Sequence, residues 1–193
     1  MLWQTKRRKL LYKNLDTIII SQNVIGQYLC TEFFKQHLAP DAELVSSTDL
    51  TDGKGYTSKV YKVVVNTISG DSQTAKRLIL KLDYGGNEIA TKTAHAQNMW
   101  QREINFYKHV PSGFTDITPI FYAGSGKAEA IQWLIIEDLF TMHSGHSFQG
   151  LQHEQAKAAA GVLGKIHGRL QGNQGLSELL PQDGLWFLDQ EWL

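Results

Sequence analysis

The chain has 193 residues, nineteen basic and nineteen acidic, with 42% hydrophobic residues and a single cysteine. That length makes about one ordinary domain, and that apolar fraction supports a packed core and excludes a natively disordered chain. The charge balance gives no electrostatic ground for a nucleic-acid or anionic-membrane partner, the lone Cys30 excludes an intrachain disulfide, and no apolar run reaches the ~20 residues needed to cross a bilayer.

No signal peptide is recognisable, because Ile18-Ile19-Ile20 is too short for an apolar h-region, and a cytoplasmic location is expected. The basic run Lys6-Arg7-Arg8-Lys9 reads as a solvated arm. Ser21 can cap a helix running to about Leu38, with Pro40 beyond it and Cys30 as a small apolar residue within it. A strand is expected over Ala42 to Thr51, a glycine-bearing turn over Asp52 to Thr57, and a second strand from Ser58 to about Asn66, rich in valine and tyrosine. After the turn Ile68 to Ser72 a third strand, Arg77 to Asp83, closes a meander. A helix follows, at least from Ala96 to His109. Two short strands are expected at Ile117 to Ala123, with Pro119 inside, and at Ile131 to Glu137. A polar loop, Thr141 to Gly150, leads to a long helix over Leu151 to Leu170.

The inserted helix poses a charge problem. On a wheel at about 100° per residue, Met99, Trp100, Ile104, Phe106, Tyr107 and Val110 share one arc, and Glu103 falls in its middle. A carboxylate on an apolar face demands a cation. Lys81 is the candidate: in Arg77-Leu78-Ile79-Leu80-Lys81-Leu82, Leu78, Leu80 and Leu82 take one face of the strand while Ile79 and Lys81 take the other. Taken singly, Lys81 could snorkel to water and Glu103 could sit on a rotated helix. Taken together, each residue answers the other's need.

Gly53 and Gly55 belong to a spacing G-x-G-x-x-G-x-V that ends on Val60, with Ser58 at the third glycine position. Such a turn lets backbone N–H groups approach phosphate oxygens without a Cβ in the way, although a glycine pair before a strand also makes an ordinary hairpin. A strand rather than a helix follows, which rules out the dinucleotide fingerprint, and no G-K-[ST] ends the loop. What fits is a glycine-rich loop between two strands, a lysine on the third strand and a glutamate on the next helix.

The segments GKGYTSKVYKV, RLILKL, QREINFYKHV, WLIIEDLF and AAGVLGKIHGRL, across roughly residues 50 to 170, resemble the kinase-like small-molecule phosphotransferases: the aminoglycoside phosphotransferase, choline kinase and ecdysteroid-kinase-like group. The resemblance implies an α+β fold, a kinase-like N-terminal lobe with an antiparallel sheet of about five strands and one inserted helix. It implies an arm and helix over 1–40, the lobe over 41–140, and over 141–193 the loop after the hinge and the start of a helical C-terminal lobe. It implies ATP as cofactor, with Gly53 and Gly55 over the phosphates and Lys81 on the α- and β-phosphates, steadied by Glu103. Backbone groups of Glu137 to Leu139 would meet the adenine edge, and Ile136 would flank the ring.

The resemblance also implies an H-G-D-x-x-x-x-N loop and Mg²⁺-binding acids. No such loop occurs: in His167-Gly168-Arg169 arginine stands where the aspartate is needed, and Asn173 comes one residue early. No catalytic residue is therefore assigned, the Mg²⁺ ligands and acceptor site are expected in a missing C-terminal part, and little phosphate transfer is expected of this chain alone. The apolar tail with Leu185, Trp186, Phe187, Leu188 and Trp192 is expected to drive self-association. His143 and His146, near His153, lack the companions of a zinc site and read as loop residues. Three functional classes stay open: a kinase of a small hydroxyl compound, a non-catalytic nucleotide-binding protein, and an interaction module in which the turn and the ion pair are architecture.

Overall fold

The computed structural model describes residues 24–51, 57–69, 72–84, 88–109, 114, 116–126, 129–139 and 150–171. Ser21, Gly53, Gly55, the His143 and His146 loop and the tail from 172 lie outside these residues.

Residues 24–28 are helical, the chain bends at Leu29 and Cys30, and α1 follows at Thr31–His37. The single helix expected to Leu38 is therefore interrupted. Cys30 takes an extended backbone (φ −138°, ψ 155°) ahead of α1, which turns Phe33 and Phe34 together toward the sheet. Both are buried, and Phe33 meets Trp133 edge-on at 4.9 Å between ring centroids.

Five antiparallel strands follow: β1 (Glu43–Asp49), β2 (Lys59–Ser69), β3 (Ser72–Leu82), β4 (Phe121–Gly124) and β5 (Trp133–Glu137), in the sheet order β1-β2-β3-β5-β4. The meander and the central place of β3 match the sequence expectation. Strands β2 and β3 run further than the apolar pattern suggested, since their register is unbroken to Ser69 opposite Ser72. Strand β4 starts later than expected. The amides of Ile117 and Thr118 both donate to the Phe114 carbonyl in a turn, and Pro119 has no N–H to offer a ladder.

The expected inserted helix is two helices, α2 (Glu88–Ala96) and α3 (Met99–His109). They are separated at Asn98, which has φ 51°, a left-handed backbone that asparagine tolerates. The Asn98 carbonyl then accepts the Arg102 amide at 3.0 Å, starting α3 on a new axis. The last element, α4 (His153–Leu170), opens with a capping box between Gln152 and Gln155. Its Arg169 reaches Asp116 at 2.8 Å, but most of the helix is exposed.

The core has two parts on opposite sides of the sheet. Tyr61, Val63, Val65, Leu78, Leu80, Leu82, Trp133 and Ile135 pack with Phe33 and Phe34. On the other side Ile104 of α3 packs with Leu134 and Ile136, flanked by Ile79, Tyr107 and Phe121. The period-two alternation of β3 assigns Leu78, Leu80 and Leu82 to the first core and leaves Ile79 and Lys81 for the second.

Candidate functional site

Lys81 stands on β3, the central strand, and Glu103 on α3. Lys81 Nζ lies 2.5 Å from Glu103 Oε1 and 2.8 Å from Oε2. Both carboxylate oxygens are engaged, so the ammonium is aimed along one direction rather than swinging on its stem. The Trp100 ring, one turn before Glu103, sits with its centroid 5.5 Å from Nζ and adds a cation–π attraction. Burial raises the Tyr107 phenol, and the neighbouring charge of Glu103 raises it further.

The pair is less buried than the helical wheel implied. The two side chains remain 23% and 34% exposed. Met99, placed on the apolar arc, is also exposed. The packed centre of α3 is Trp100 and Ile104, so Glu103 stands at the margin of the contact, where it meets both Lys81 and solvent. The charges are accordingly available to a ligand.

The approach of α3 to the sheet depends on Gly124 at the end of β4. A Cβ there would lie 3.0 Å from Ile104 Cγ2 and 3.3 Å from Phe121. The missing side chain is the space that Ile104 fills, and Ile104 is the neighbour of Glu103 in sequence.

Strand β2 begins at the Lys81 end of the sheet, since Val60 is the register partner of Lys81. The strand ends that flank residues 52–56 are tied by a residue the sequence reading passed over. Asp49 Oδ1 accepts the Thr51 amide at 2.8 Å and the Thr51 hydroxyl, and Oδ2 takes Lys59 Nζ at 2.8 Å. Burial alone would raise the Asp49 carboxyl, but the bonds from Lys59 and Thr51 outweigh it and hold it at about 2. The two strand ends flanking residues 52–56 are thereby pinned to one carboxylate.

At the other end of the face, Ile136 is buried and Leu139 is exposed. The Glu137 amide donates to the Ile120 carbonyl at 2.9 Å, while its carboxylate accepts the Ile120 amide at 3.2 Å. Asp138 is only 8% exposed at its side chain and pairs with Lys62 at 3.1 Å. A further pair, Asp83 Oδ2 to His95 Nε2 at 2.8 Å, ties the end of β3 to α2. Burial pushes the Asp83 carboxyl up, and His95 pulls it partly back.

Neither of these last two pairs was legible beforehand. Asp138 and Lys62 are far apart in sequence, and the α2–α3 break that presents His95 was not foreseen. A signal existed for Asp83, an acid continuing the face of Lys81 at the end of an apolar strand. Among the described residues no group of three or more His, Cys, Asp or Glu is placed to hold a metal ion, and no helix is long and apolar enough to cross a membrane.

A five-stranded antiparallel sheet in this order, with a helix on one face whose glutamate pairs with a lysine of the central strand, defines a kinase-like N-terminal lobe. The chain belongs to the ecdysteroid kinase-like family, whose model matches residues 52–169, more than half of its length. No curated protein and no solved structure gives a significant match.

Proposed function

We propose that this chain binds ATP, with Mg²⁺, on the sheet face that carries Lys81, as the nucleotide-binding part of a kinase-like phosphotransferase acting on the hydroxyl of a small molecule. The observation that carries the reading is the Lys81–Glu103 pair, with both carboxylate oxygens engaged, on the strand register of Val60. An ammonium has three donors; two go to Glu103 and one is left for a phosphate oxygen. Glu103 keeps the ammonium in place, and Asp49 ties the strand ends that flank residues 52–56.

From Lys81 to the end of β5 the chain offers three residue steps along the strand, about 10 Å of sheet. Val60 and Ile79 line that path on the Lys81 face, an apolar platform for a base backed by buried Ile136, with Glu137 to Leu139 at its rim. Bound Mg-ATP would supply the transferable phosphoryl group, while the residues of this chain bind and orient it. Gly53 and Gly55 are assigned to the phosphate cover on the sequence pattern. The family name points to hydroxylated steroids as one acceptor class.

Binding without turnover is the second reading. His167-Gly168-Arg169 lies within α4 and reads as a helix end, so it supplies no proton-accepting aspartate. Calorimetric titration with Mg-ATP tests the binding claim, with loss of binding expected in Lys81→Ala and weakening in Glu103→Gln. No binding by the native chain would leave the pair as architecture alone. ATP consumption in the presence of hydroxylated acceptors separates the two readings.

A further inference from the structure

The pair formed by Lys62 and Asp138 spans the sheet in an unusual way. Lys62 on β2, Ile79 on β3 and Ile136 on β5 form one row across the Lys81 face. The next row contains Val64 and Arg77, and the Asp138 amide donates to the Arg77 carbonyl at 3.2 Å. Lys62 and Asp138 therefore flank β3 from opposite sides, one row apart. Two strand spacings separate their backbones by nearly 10 Å. Their charged atoms nonetheless meet at 3.1 Å, so the lysine stem must stretch over β3 beside Ile79. The Asp138 carboxylate is almost wholly shielded from solvent, which makes a cation there a requirement rather than a surface accident.

We infer that Lys62 and Asp138 form a strap that bounds the nucleobase end of the cleft, and that both are positioning residues for the base. The inference rests on the nucleotide reading above and adds to it a division of labour. Lys81 and Glu103 serve the phosphates at one end of β3. The strap serves the base at the other, where its aliphatic stem walls Ile79 and its charged end fixes Asp138, the residue through which the chain leaves β5. Because the strap touches no phosphate, it acts on nucleoside and nucleotide alike.

The test compares adenosine with Mg-ATP by calorimetry on the full chain, with thermal unfolding recorded for each variant. Lys62→Met and Asp138→Asn are expected to weaken both ligands by the same factor, roughly tenfold, the scale of one well-placed charged contact. Lys81→Met is expected to weaken Mg-ATP and leave adenosine unchanged. The exchanged pair, Lys62→Asp with Asp138→Lys, is expected to recover most of the loss. Unchanged or tighter adenosine binding in folded Lys62→Met overturns the strap, and so does a loss confined to Mg-ATP. Should Asp138→Asn fail to fold, the half-exposed Lys62 still decides the matter. If the native chain binds neither ligand, the nucleotide reading fails and the strap with it; if it binds both and only the strap variants behave as native, the strap alone fails.

Discussion

On one face of the sheet, Val63, Val65, Leu78, Leu80 and Leu82 are sealed from water under Phe33 and Phe34. On the other, the same strands present Lys62, Ile79 and Lys81, which are only partly covered. One residue step along β3 separates the two environments. The dry face stabilises the lobe by burial, and its residues are interchangeable in kind. The partly covered face holds two ion pairs, Lys81–Glu103 and Lys62–Asp138, and the Asp83–His95 contact, each joining β3 or its neighbours to a different element. Partial cover suits the Lys81–Glu103 pair, because full burial would cost more than the pairing returns and full exposure would let solvent screen it.

The sharpest break of this comparison is Leu80→Ala against Ile79→Ala. Leu80 is fully buried, and its truncation is expected to cost about 3 kcal/mol in urea unfolding, with clearly less for half-covered Ile79. Gly124→Ala comes next, at about 1–2 kcal/mol, because Ile104 must shift to admit the methyl. It should also weaken nucleotide binding, since α3 carries Glu103. Lys81→Met should cost about 1 kcal/mol or less, because the pair is partly solvated.

The two titrating acids sharpen the comparison with opposite signs. Asp83 has its folded value raised, so its contribution is present below the ordinary aspartate value of about 3.9 and is lost as pH rises through the folded value. Asp49 is held at about 2, so its contribution is present above the ordinary value and is lost as pH falls toward 2. Unfolding midpoints followed with pH should lose the first slope in Asp83→Asn and the second in Asp49→Asn. The smallest expected effect is Arg169→Ala. It removes an exposed contact to Asp116 and should leave the unfolding midpoint of the sheet unchanged.

Periodicity carried much of this lobe. The alternation in RLILKL placed Lys81 opposite the leucines, and the acid on the α3 arc pointed to its partner before any coordinates. The meander order followed from turn residues. What escaped the reading was set by backbone detail. A left-handed Asn98 split one helix into two, extended Cys30 broke another, and the Phe114 turn delayed β4. The Lys62–Asp138 and Asp83–His95 contacts depend on which strands become neighbours, a property of topology rather than of local pattern. Asp49 looked like one more polar residue at a strand end until Thr51 and Lys59 closed on it.

The central claim is that the ammonium of Lys81, steered by Glu103, receives the phosphates of a nucleotide. Calorimetric titration of the native chain and of Lys81→Met with Mg-ATP tests it most directly. Saturable binding by the native chain that is lost in a folded Lys81→Met protein is the predicted result. Equal heats from both proteins, or none from the native one, would contradict it.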